Sequence, residues 1–200
     1  MPPETIEQKI EKFFEEPSTL EAPANFSRLH LCKRHIAICV GLNPYEYNQK
    51  YQSVWPAAMA TLAGIDLLSL YYSGADKNSG GTFRKFCEEV MSLTPDESLT
   101  LYMLRNALMH TYGLFAVCER SPKIGVEFWF KVTIGDNSYF INMTKDETTK
   151  IHYDVSFSSL FEKFYKSIDK YHQILLTTSE TEKRSNFEKI FDRIGLIGPA

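Results

Sequence analysis

The stretch Leu104-Arg105-Asn106-Ala107-Leu108-Met109-His110 sets a permanent cation, an amide and a titratable imidazole within two helical turns of an otherwise apolar segment. Leu101, Met103, Leu114 and Phe115 flank it and imply burial around it. Polar groups of this kind are costly to bury unless something binds them. The arginine fork can hold a phosphate and its developing charge. The imidazole can take or give a proton near neutral pH. Asn106 and His110 are four residues apart and share a helix face. Arg105 and His110 are five apart, hence about 140° apart around the axis, and one helix is expected to present them poorly to one phosphate. The plainer account is a helix whose arginine reaches past the core to water and whose histidine hydrogen-bonds inside it.

Other residues carry weaker signals. Asp66 interrupts the most apolar stretch, Ala57 to Tyr72. It reads either as a buried hydrogen-bond anchor or as a carboxylate that orients Arg105 or His110. Cys32, His35 and Cys39 fall at helical spacing on one face, which is zinc chemistry, but Ile36 and Val40 share their stripe and no second ligand cluster follows. No structural metal and no cofactor are expected. Phe128, Trp129, Phe130, Tyr139 and Phe140 could stack nucleobases, or could pack a small sheet on helices. No phosphate-cradling glycine loop, nucleophile elbow or His-Glu-x-x-His motif is present.

The elements that must position these groups are mainly helical. Ile6, Ile10, Phe13 and Phe14 mark a short amphipathic helix over 4–16, stopped by Pro17 and Ser18, with 17–24 as linker. Residues 26–40 read as a second helix. Asn43-Pro44 could cap the next one, or that helix starts near Ser53 with Pro56 in its first turn. Residues 56–72, apolar all round, form a central helix. Gly74 to Gly81 is a loop, and 82–91 is helical. Thr94-Pro95-Asp96-Glu97 opens a helix that is expected to run from about 97 to about 117, with Gly113 its weak point. The period then changes. Val126 to Ile134, a turn at 135–138 and Tyr139 to Met143 predict an antiparallel hairpin, with Lys150 to Val155 as a further strand. Helices return over 157–176 and 180–194. The expected fold is mainly α, of α+β class: one domain comprising an N-terminal helix and linker (1–24), a helical core (25–120), a β-hairpin or meander insertion (124–155) and C-terminal helices (156–200).

Arg105-Asn106 followed by His110, late in a helix and ahead of Gly113, resembles the Arg-x4–6-His motif of the HEPN superfamily. Pro56-Ala57-Ala58-Met59-Ala60, Ile65-Asp66-Leu67-Leu68, the Gly-rich loop and Thr82-Phe83-Arg84-Lys85-Phe86 are similar to bacterial and plasmid-borne HEPN proteins. The likeness covers roughly 30 to 175. It implies a HEPN-like helical bundle and a metal-independent endoribonuclease, often a toxin or antiviral effector, with Arg105, Asn106 and His110 as catalytic residues at a homodimer cleft. RNA would be the substrate, since it alone carries the 2′-hydroxyl nucleophile. An antitoxin or other regulatory partner is an expected companion. The other reading is a HEPN-fold protein without catalysis that binds nucleotide or RNA, or serves as a scaffold. Gly113 is expected to admit a close approach of helices or RNA one turn after His110.

Composition sets outer bounds. The chain has 200 residues, 44% hydrophobic and 24% charged, enough for one sizeable core. Twenty-two basic against 25 acidic residues give a net charge of −3, which disfavours avid non-specific nucleic-acid binding. Four cysteines without a Cys-x-x-Cys pair, an acidic N-terminus without an apolar leader, and an apolar stretch shorter than a membrane span predict a soluble cytoplasmic protein with no membrane partner.

Overall fold

The computed structural model describes residues 3–15, 26–40, 53–77, 79–117, 125–134, 138–145 and 150–197. The expected stop at Pro17-Ser18, the linker to 24, the Asn43-Pro44 cap and the turn residues 135–137 lie outside them.

The first half of the chain runs α1 (Ile6–Phe14), β1 (Phe26–Ser27), α2 (Arg28–Cys39), α3 (Val54–Ser73), α4 (Gly80–Glu89) and α5 (Pro95–Thr111). The second half runs β2 (Phe115–Val117), β3 (Glu127–Thr133), β4 (Ile141–Lys145), β5 (Lys150–Ser156), α6 (Phe157–Leu176), α7 (Thr181–Ile194) and β6 (Leu196–Ile197). The result is mostly helical with a small mixed sheet, an α+β arrangement.

The hub is α3, against which α2, α4, α5, α6 and α7 all pack. Its Ala57, Ala58, Leu62, Ile65, Leu68 and Tyr71 are fully buried. It begins just after Ser53, with Pro56 in its first turn, where a missing N–H costs nothing. At 20 residues it is longer than the apolar stretch picked out above, and by length and composition alone it could cross a membrane. In this fold half of that window is buried inside the protein, and its carboxylate Asp66 meets an arginine. Gly64 lets α2 and α6 approach it. A Cβ there would lie 2.5 Å from Phe164 Cζ and 2.8 Å from Cys32 Sγ. Gly64→Ala is therefore expected to cost about 1–3 kcal/mol through overpacking, read as a lower urea midpoint at unchanged slope. An unchanged midpoint would show that Phe164 yields freely.

Two expectations are corrected. The helix begun at Thr94-Glu97, whose side chains form a reciprocal cap, ends at Thr111 rather than near 117. Tyr112 takes the left-handed conformation that terminates it, and Phe115–Val117 joins the sheet. The expected hairpin between 126–134 and 139–143 does not form. The strand order is β2-β3-β5-β4, so β5 lies between those two segments, parallel to β3 and antiparallel to β4. Burial explains the choice. Ile151, Tyr153 and Val155 of β5 are buried and register with Phe128, Phe130 and Val132 of β3. In β4, Met143 is 57% exposed, which suits an edge strand. A further pairing that the pattern did not suggest joins Phe26–Ser27 to Leu196–Ile197.

Candidate functional site

The constellation read from the sequence gathers where α5 crosses α3. Leu101, Leu104 and Leu108 of α5 are fully buried and fix its roll. That roll leaves Arg105 and Asn106 at the edge of the core and His110 exposed. Arg105 Nε donates to Asp66 Oδ2 at 2.7 Å, with the two side chains 23% and 18% exposed. Arg105 Nη1 donates to Asn106 Oδ1 at 3.0 Å and lies 3.3 Å from His110 Nε2. Among the described residues, Arg105 Nη2 has no hydrogen-bond partner.

The expected splay of Arg105 and His110 to different sides is thereby corrected. Their Cα positions do diverge around the axis, but the arginine stem is long enough to run along the helix toward its C-terminus. Asp66 holds the guanidinium in that course through Nε. A guanidinium has no acceptor, so a hydrogen bond across this contact has Arg105 Nη1 donating and His110 Nε2 accepting. One chain thus brings together a cation, an amide and an imidazole.

Asp66 accepts from Arg105, a contact that both of its readings describe: a buried anchor on a basic residue and a carboxylate that orients the guanidinium. Burial raises its carboxyl above the ordinary value, while the hydrogen bond and charge of Arg105, and the His110 ring, pull it back. A carboxyl raised in the fold favours the folded state while protonated, an advantage lost as pH rises through its folded value. Wild type is therefore expected to lose stability relative to Asp66→Asn as pH climbs from the ordinary 3.8 upward. Urea midpoints of both proteins across that range check this; a constant gap would count against it.

At Gly113 the three nearest atoms that a Cβ would meet within this chain belong to Thr111, Oγ1 at 3.0 Å being the nearest. The unusual backbone belongs to its neighbour. Tyr112 has φ 50° and ψ 36°, a conformation that costs an L-residue about 1–2 kcal/mol. Its ring, 59% exposed, contacts Trp55 with centroids 5.8 Å apart and planes at 59°. Neither Trp55 nor Tyr112 stood out in the sequence. The helix-stop signal there pointed to Gly113, and a left-handed tyrosine has no signature of its own.

The aromatics of the sheet divide by face. Phe128 and Phe130 are buried against Tyr153, whereas Trp129 is 41% exposed beside Phe115, with centroids 4.7 Å apart. Strict alternation from Phe128 would have separated them. The cysteine–histidine stripe on α2 does not converge. Cys32 Sγ donates to Ala60 O at 3.2 Å, its thiol pushed up to about 12 by burial, while His35 is exposed. Among the described residues no three His, Cys, Asp or Glu side chains group as metal ligands.

Comparison of the chain with protein-family models, with curated proteins and with solved structures found no match.

Proposed function

We propose that this protein is a metal-independent endoribonuclease of HEPN type, acting through Arg105, His110 and Asn106 with Asp66 as positioning residue. The observation that supports this best is the meeting of Arg105 with Asp66 and His110 at a partly exposed point of one chain. In this reading the bound ribose displaces the Arg105 Nη1 contact, and His110 Nε2, freed from it, takes the proton of the 2′-hydroxyl. The oxygen attacks the adjacent phosphorus, the 5′-oxygen departs, and the proton is returned to it. The products are a 2′,3′-cyclic phosphate and a free 5′-hydroxyl. Arg105 offers Nη2 to the phosphate oxygens, where a charged donor in a half-buried setting acts most strongly on the developing charge. Asp66 keeps the guanidinium from swinging away, and Asn106 holds its other edge.

The proposal includes a homodimer and a toxin or antiviral role restrained by a partner protein, as the resemblance implies. With all four side chains in one chain, a second copy would add binding surface rather than complete the catalytic set. The test is incubation of purified protein with total RNA. Cyclic-phosphate ends that disappear in His110→Ala support catalysis. Intact RNA bound tightly by wild type would favour the non-catalytic nucleotide-binding or scaffold reading instead.

A further inference from the structure

Two features meet at the end of α5, and their interpretation rests on the ribonuclease reading above. Tyr112 holds a left-handed conformation that glycine would adopt without strain, and Gly113 stands next to it at a position without that demand. The strained site nevertheless carries a large ring, exposed to solvent two residues after His110. Among the described residues its ring contact is with Trp55, at 5.8 Å and 59°. A base cannot slip between rings so arranged, because that needs parallel planes about 7 Å apart, twice the stacking distance. Trp55 therefore buttresses the tyrosine from one side and leaves its outer face open.

We infer that Tyr112, braced by Trp55, stacks the nucleobase next to the scissile phosphate, and that the substrate is taken as unpaired RNA. A base within a duplex is already stacked on both faces and cannot lie on a protein ring unless it is splayed out. Charge points the same way. The chain carries a net −3, so a general basic field cannot supply the grip on RNA. Stacking adds grip without counterion release, so binding should vary with salt only as far as the phosphate held by Arg105 requires. Phe115, three residues further on, is exposed and pairs with the exposed Trp129 of β3.

The experiment measures anisotropy of a labelled 2′-O-methyl oligoribonucleotide, which cannot be cleaved, alongside cleavage of unmodified RNA. Wild type is expected to bind the single strand well and the same sequence as a duplex poorly. Tyr112→Gly should melt at a higher temperature, because the backbone strain is relieved, and bind about tenfold more weakly, the loss of one base stack. Tyr112→Trp should restore binding. If Tyr112→Gly binds and cleaves like wild type, the inference falls while the ribonuclease stands. If Tyr112→Gly loses binding but wild type cleaves no RNA, stacking stands and catalysis falls. A folded Tyr112→Trp as weak as Tyr112→Gly would mean that the ring is not a stacking surface. A wild type that binds no single strand would overturn the stacking inference, and cleavage of the unmodified RNA decides the ribonuclease separately.

Discussion

Replacing His110 with alanine is expected to lower RNA cleavage by about 10²–10⁴-fold, the range over which a positioned proton-transfer group acts. The fold should be unaffected, because the ring is exposed and leaves no cavity behind. Arg105→Ala is expected to lose about 10²–10³-fold, as when one charge-stabilising donor is removed. It should also lose some stability, since Asp66 is left half-buried without its cation. That loss is softened because the Asp66 carboxyl, already raised by burial, can take up a proton. A mixture of the two inactive variants should stay inactive. Both groups lie within reach of each other in one chain, so a mixed dimer would hold two half-sites and no whole one. Sedimentation confirms that subunits have exchanged, and cyclic-phosphate ends report cleavage. A mixture that regains activity would show that the working site is shared across protomers, and would sink the single-chain arrangement.

What the sequence showed of this site and what it concealed divide along physical lines. Arg105, Asn106 and His110 stood out because polar groups in an apolar helical stretch are costly. Asp66 stood out for the same reason in α3. Both signals depend only on local composition and period. The meeting of Arg105 with His110 did not follow, because angular spacing locates Cα positions and says little about a side chain with four flexible bonds. Its course is set by Asp66, 39 residues earlier, and that contact depends on how α3 and α5 cross. The helices were legible almost to the residue where caps were strong, as at Thr94 and over 157–176. The strand order was not. The stretch 126–143 has the alternation of a hairpin, but which strand β3 pairs with depends on the burial of Ile151, Tyr153 and Val155 in a segment not yet reached. Nonlocal pairing of this kind is invisible to any reading that proceeds window by window.

The first helix makes the same point in energetic terms. In the sequence α1 reads as a short amphipathic segment followed by a linker, and it lies outside the resemblance. In the fold its Phe13 is fully buried, 4.4 Å from the Tyr71 ring of the central helix and 5.4 Å from Phe187 of α7. Ser27 Oγ donates to the Phe13 carbonyl at 2.8 Å, and Lys9 lies 2.8 Å from both Glu188 and Asp192. Phe13→Ala should therefore cost about 3–5 kcal/mol, the usual loss for a phenylalanine in a core that cannot collapse around the gap. For a chain of this size that is a fall in Tm of roughly 6–20 °C. Lys9→Met should cost much less, since it keeps the apolar stem and the acids it leaves are half-exposed. Thermal melts of the two variants separate the alternatives. If Phe13→Ala melts within a degree or two of wild type, α1 is a detachable cover. If it melts as far below as expected, α1 is part of the core that holds α3, and through α3 the Asp66 carboxylate, in place beneath Arg105.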